Sequence, residues 1–335
     1  MGDETSPPDP HSLIPAFKFE RILNQDQAGR RIILHGTLYT HPALLILERA
    51  PFPTSTSYLS SLPHTLSTLR NLGANDVYFW YLASSPSPLP SPSANVGELS
   101  DLKINLIYPC TAQHVAKYSP QGVRMVTETA QVYWERVRPY MDGKRQGGRL
   151  NWVYNIIEGK TEVEDVIFRT PLQDTPNDEG FLLLPDLNWD RKTMNSLHLL
   201  GLVERRDLWS LRDLRKRHVG WLRLMRGRLV DAAVGCYGGV GVEEDQLKLY
   251  VHYQPTYYHF HIHIVHVAFE AGASQAIGKA IGLESIIATL EAMEGGEDAG
   301  MESLDMCYTV GEASELWTGI FEPLKKASRT VSELQ

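Results

Sequence analysis

Cysteine is scarce in this chain of 335 residues. There are three, Cys110, Cys236 and Cys307, and no two share a CxxC spacing. That excludes a structural zinc site of the cysteine type, and an odd, scattered set gives no disulfide framework. Such usage suits a reducing compartment. Long apolar runs are also missing: no stretch approaches the ~18 residues needed to span a bilayer as a helix. The opening MGDETSPPDP has neither a basic nor an apolar segment, so it does not read as a signal peptide. Positive charge is not in excess, since 32 Lys and Arg face 40 Asp and Glu, a net charge of −8. Bulk charge therefore does not hold nucleic acid, although a local basic pocket can hold a small anion.

What is present is a globular composition, 43% hydrophobic and 21% charged. At roughly 150 residues per domain, the length predicts two domains. Residues 1–15, rich in Pro, Ser and Asp, read as a flexible tail. Short apolar runs at 17–23, 31–38, 44–48, 77–82 and 102–108 read as strands of an N-terminal α+β domain over 16–142. The Pro/Ser segment 84–97 cannot pair in a sheet and reads as an exposed loop. Residues 112–118 and 122–141 read as helix, and the glycines of 143–150 as a hinge into a C-terminal domain over 151–335.

In that second part, Gly180–Leu184 reads as a buried strand ending at Pro185. A helical zone over 192–234 has one apolar face of Leu211, Leu214, His218, Leu222, Met225 and Leu229. Its arginines, Arg212, Arg215, Arg217, Arg223, Arg226 and Arg228, read as a solvated basic face rather than a phosphate-binding helix. GCYGGVG at 235–241 lacks the Lys-Ser/Thr of a phosphate-binding loop and reads as a turn. Residues 246–253 then alternate as a strand.

The informative segment is YYHFHIHIVHVAFE, 257–270. His259, His261 and His263 stand at i, i+2 and i+4, so a strand would project them from one face, with Phe260, Ile262 and Ile264 turned into a core. His266 would face the other way. Three readings compete: a histidine row without a role, a metal site, and nucleophilic catalysis. A metal site would need a further ligand and a nearby carboxylate, and this strand offers none. A neutral imidazole, by contrast, can attack phosphorus while its neighbours donate protons.

His259-Phe-His261-Ile-His263-Ile-Val265 resembles the histidine-triad signature. Trp152-Val-Tyr-Asn-Ile-Ile, Glu162, Gly180-Phe-Leu-Leu-Leu-Pro185-Asp186-Leu187, Trp209-Ser-Leu-Arg-Asp213-Leu and His252-Tyr-Gln-Pro-Thr-Tyr-Tyr258 are similar to the scavenger mRNA decapping enzymes of that superfamily. The resemblance runs from about residue 17 to 269 and is strongest from Trp152 onward. It implies an N-terminal α+β domain, a C-terminal histidine-triad domain with an antiparallel sheet and helices, and a homodimer with exchanged N-terminal strands. It also implies a cytoplasmic and nuclear hydrolase of 7-methylguanosine cap dinucleotide and short capped oligonucleotides, with no metal or other cofactor and no membrane partner.

By that resemblance His261 is the nucleophile, and His259 and His263 stabilise phosphate charge. Trp152 stacks on the cationic methylated base, which an aromatic face favours, and Glu162 accepts from its N1 and N2 hydrogens. Leu187 closes the other side of the base, the Pro185 carbonyl meets N2 and Asp186 the ribose. His252, Thr256 and Tyr257 donate to phosphate. Asn188 stands where relatives often carry lysine, so the triphosphate's cation is sought at Lys144, Arg145 or Arg149. Two alternatives are a dinucleoside polyphosphate hydrolase of the same superfamily and a non-catalytic cap-binding regulator.

Overall fold

In the computed structural model, which describes residues 10–26, 30–75, 78–85, 101–111, 115, 119–148, 150–171, 179–186 and 189–333, the apolar runs of the first third pair locally. β1 (Phe17–Gln25), β2 (Arg31–Leu38) and β3 (His41–Glu48) form one antiparallel meander. β4 (Ser67–Asn75), β5 (Tyr78–Ser84) and β6 (Leu102–Ile107) form a second. β4 is a strand the sequence reading missed, because its register shifts break the alternation. Between the meanders lies the helix Thr56–Thr65, whose N-cap Ser55 accepts from the Tyr58 amide. Pro10–Leu13, inside the expected tail, is a helical turn. Most of the expected Pro/Ser loop, most of the expected helix 112–118, and residues 1–9 lie outside the described residues.

The chain divides at residues 120/121, not after residue 142. β7 (Val123–Glu128) falls where a helix was expected, because its partner β14 (Met306–Gly311) lies at the far end of the chain, beyond the reach of local periodicity. A helical stretch follows from Ala130 through Gln146, and Tyr133, Val137 and Met141 are buried in the core of the second unit. The expected hinge therefore begins as helix.

The core of the second unit is a six-stranded antiparallel sheet. Its strands are β8 (Phe168–Arg169), β9 (Phe181–Pro185), β10 (His198–Val203), β11 (Leu247–His252), β12 (His261–His266) and β13 (Ala280–Gly282). They stand in the order β13-β11-β12-β10-β9-β8. β10 interrupts the expected helical zone, and the long helix begins only at Val219 and runs to Tyr237. Leu211 and Leu214 are buried as expected, but on a short 3₁₀ turn and its cap.

The helix Val219–Tyr237 lies close on one face of the sheet. A Cβ at Gly201 of β10 would come within 2.7 Å of Leu229 Cδ2, so a larger residue there would displace the leucine from its close approach. The helix ends in the expected glycine turn, with Gly241 at φ 92°. The expected basic face is a set of ion pairs instead: Arg215 with Glu302, Arg217 with Asp298, Arg223 with Glu291, Arg226 with Glu284 and Glu244, Arg228 with Glu179. Arg212 is fully buried against Glu128. No described helix is long and apolar enough to cross a membrane.

Candidate active site

The register of the sheet decides which side chains meet. Leu200 of β10 lies opposite His263 of β12, and Leu202 opposite His261. Tyr250 of β11 is the other cross-strand neighbour of His263. Side chains alternate between faces, so His198, two residues before Leu200, shares the face of the two histidines. Asp186 follows the end of β9, and its amide donates to the His198 carbonyl at 2.9 Å. Ile262 and Ile264 turn to the other face, into the main core. The helix Asn151–Ile157 covers the histidine face, packing Leu150, Val153, Ile156 and Ile157 on Leu182, Leu184 and Leu202.

His261 is held in one tautomer. Its Nδ1 lies 2.7 Å from the His259 carbonyl oxygen. A carbonyl only accepts, so Nδ1 carries the proton and Nε2 keeps its lone pair. Burial pushes the pKa of His261 down to about 4, against the opposing pull of that carbonyl, with the charges of His252, His259 and Lys279 adding to the effect of burial. The ring is therefore neutral and nucleophilic near pH 7.

Around it stand polar groups without partners among the described residues. The Tyr257 ring stacks on His261 at 4.3 Å, and its hydroxyl is buried with no hydrogen bond among the described residues. Nε2 of His263 is buried and unpartnered in the same way. Burial raises the Tyr257 hydroxyl well above its usual range, so it stays a donor. Two orphaned polar groups beside a free imidazole lone pair leave places for the oxygens of an anion. His252 stacks obliquely on His263, 4.2 Å between centroids, while its Nε2 donates to the Ser274 carbonyl at 2.8 Å.

The expected row of three imidazoles is not regular. β12 begins at His261, and His259 precedes it as a fully buried ring. His259 Nε2 donates to the Val203 carbonyl at 2.7 Å, and the ring packs edge-on to Tyr154. Its backbone carbonyl, not its imidazole, is what serves His261.

Trp152 is 45% exposed and meets Tyr257 edge-on at 4.9 Å. One aromatic chain thus joins the expected base-stacking residue to His261. A cavity of about 290 Å³ opens beside it, lined among others by Tyr140, Lys144, Arg145, Trp152, Thr256 and Tyr257. Glu162, Pro185 and Asp186 do not line it. Lys144 is tied to Glu315, and Arg145 donates to the Tyr258 carbonyl at 2.6 Å and to the Tyr154 hydroxyl. Arg149, Leu187 and Asn188 lie outside the described residues.

Glu162 is exposed at a left-handed turn, φ 53°, a conformation costing a non-glycine residue roughly 1–2 kcal/mol. Lys279, which no sequence motif marks, also belongs to this region. Its Nζ donates to the Gln254 carbonyl at 2.6 Å, and its charge acts on His252, His261 and His263. No motif marked His198 either, since HLLGLV is apolar at both parities of the strand.

His252, His259 and His261 are each lowered by burial from about 6.5 to about 4. The unfolded chain takes up protons at these rings near pH 6.5, and the folded chain does so only near pH 4. Their contribution to stability is thus complete above pH 6.5 and is lost as pH falls toward 4. Urea midpoints measured at stepped pH are expected to drop between pH 7 and 5. A flat profile would mean that the rings protonate inside the fold.

A neutral histidine tethered at Nδ1, on an antiparallel sheet and beside a hydroxyl and further imidazoles, is consistent with a C-terminal domain of the histidine-triad type. Residues 12–121 match the family described as scavenger mRNA decapping enzyme N-terminal, and residues 151–278 the scavenger mRNA decapping enzyme C-terminal binding family. The chain is 35% identical to an m7GpppX diphosphatase of Schizosaccharomyces pombe over 312 residues, 93% of this chain and 95% of that one. Identity to the m7GpppX diphosphatase of Ascaris suum is 34%, covering 82% of this chain and 85% of the relative. To that of Mus musculus it is 33%, covering 87% and 81%. The chain belongs to the scavenger mRNA decapping enzyme family.

Proposed function

We infer that this protein hydrolyses 7-methylguanosine cap dinucleotide and short capped oligonucleotides, releasing 7-methyl-GMP through a covalent histidine intermediate. The observation that carries this reading is the committed tautomer of His261: with Nδ1–H held by the His259 carbonyl, Nε2 is the one nitrogen free to attack. Nε2 attacks the phosphorus next to 7-methylguanosine and the nucleoside diphosphate leaves. Water then attacks the histidine-bound phosphorus and restores the ring. Tyr257 OH and His263 Nε2, both without a partner among the described residues, take the phosphate oxygens, His263 in the tautomer that accepts at Nδ1 from His198 and carries its proton on Nε2. Thr256 adds a hydroxyl; His252, expected as a phosphate donor, has its Nε2 proton held by the Ser274 carbonyl and packs on His263 instead, and Lys279 supplies positive charge in place of the lysine expected at Asn188. Trp152 stacks on the base, with Glu162, Pro185, Asp186 and Leu187 completing its recognition. The primary test is incubation with methylated and unmethylated cap dinucleotide and chromatography of the products; 7-methyl-GMP is expected.

Trp152→Ala should weaken binding of a methylated cap analogue by about tenfold, since a cation over a desolvated aromatic face is worth ~1–2 kcal/mol. The neutral, unmethylated ring should lose less. Fluorescence titration checks this, and equal losses would assign Trp152 to packing.

The same reading makes the protein a homodimer of the cytoplasm and nucleus. Phe19, Ile22, Leu44 and Ile46, on the β1–β3 meander, are all more than half exposed in the single chain, and an apolar surface of this kind favours burial against a second copy. Light scattering at micromolar concentration should give twice the chain mass of 37.7 kDa. A monomer mass contradicts the dimer. The three free, exposed cysteines suit a reducing compartment.

A further inference from the structure

We propose that Asp186, His198 and His263 form a binding site for a zinc-class divalent ion, and that the ion shuts off hydrolysis by occupying it. One ligand atom from each residue lies within 4.8 Å of the others. His198 Nε2 is 3.0 Å from His263 Nδ1 and 3.6 Å from Asp186 Oδ2. Four-coordinate zinc with bonds of ~2.0–2.1 Å places its ligand atoms about 3.3–3.4 Å apart. The two measured edges bracket that value before any ion enters.

The donor set points to zinc rather than magnesium. Two imidazoles and one carboxylate, with water in the fourth position, are a zinc pattern, whereas magnesium takes oxygen ligands in an octahedron. The three residues come from just past the end of β9, the start of β10 and the middle of β12, adjacent strands of one sheet. Ladder hydrogen bonds therefore hold their spacing, and both rings are buried. Without metal, one proton lies between the two rings. On binding, the ring that holds it moves that proton to its other nitrogen, so both lone pairs face the ion and no net proton is released. His198 has no part in the reaction as proposed above. His263 and Asp186 do, on phosphate and ribose, so ion and cap exclude each other. The inhibitory half of this inference rests on that proposed function; the metal site itself does not.

The test uses the full chain, dialysed against EDTA and then titrated with zinc chloride, with cobalt(II) as a coloured substitute. Equilibrium dialysis should find one zinc per chain, unaffected by millimolar magnesium, and cobalt should show the visible absorption of a four-coordinate site. His198→Phe and Asp186→Asn should each weaken zinc binding at least tenfold. Melting with and without zinc establishes that each variant is folded: the wild-type Tm should rise with zinc and that of His198→Phe should not. A saturating cap analogue should weaken zinc binding at least tenfold. The metal-free enzyme should hydrolyse cap dinucleotide and added zinc should inhibit it, with variants scored against their own metal-free rates.

Equal zinc affinity in wild type and folded His198→Phe overturns the site. Zinc binding indifferent to cap analogue overturns the inhibition. Zinc binding that depends on His198 in a protein with no cap hydrolysis leaves the site standing and removes the proposed function. Activity lost to EDTA and restored by zinc defeats both the inhibition and the metal-free histidine mechanism.

Discussion

His261→Asn is expected to lower cap hydrolysis by at least about 10⁴-fold, the scale seen when a covalent nucleophile is removed. Cap analogue should still bind within about threefold of wild type. Asparagine is smaller than the imidazole and can donate to the His259 carbonyl in its place, but its amide nitrogen has no lone pair for phosphorus. Quenched wild-type reactions should contain a base-stable, acid-labile phosphate adduct, and the variant should contain none. Turnover near the wild-type rate would remove the covalent step.

The largest stability effect is expected at Arg212. This guanidinium is wholly buried, donating through Nε and Nη2 to Oε1 of Glu128 at 2.9 and 2.6 Å and through Nη1 to the carbonyls of Met301 and Leu304. Glu128 also accepts from the hydroxyls of Tyr253 and Tyr308 and from the Gln254 amide. Removing one member of a buried pair strands the other charge, at a cost of about 3–5 kcal/mol. For a folding unit of this size, Arg212→Met should lower Tm by on the order of 10 °C. The double variant with Glu128→Leu should lose less than the sum of the two single changes, because it strands no charge. A fall of only a degree or two would mean that the pair is hydrated in solution.

Activity should fall along with stability in Arg212→Met. Tyr258 donates to Gln254, and Gln254 to Glu128, so the pair anchors the segment from Tyr253 to Tyr258 that presents Thr256 and Tyr257 to His261. Helical periodicity alone puts Arg212 on a solvated face. Glu128, in a strand 84 residues earlier, was invisible to that pattern.

The spacing of histidines and aliphatic residues in YYHFHIHIVHVAFE by itself fixed which side chains of β12 reach the core. Alternation is a property of the extended backbone, so Ile262 and Ile264 are buried on one side while His261 and His263 share the other, whatever the partners are. Only the tertiary structure decided the rest. The start of β12 at His261 took His259 out of the row. The register of β9, β10 and β12 set Asp186 and His198 beside His263, supplying the carboxylate that the strand itself does not carry. The pairing of β7 with β14 turned an expected helix into a strand and moved the boundary between the two units to residue 120. Each of these depends on hydrogen-bond partners remote in the chain. Local periodicity shows which way a side chain faces, and strand register shows what it meets there.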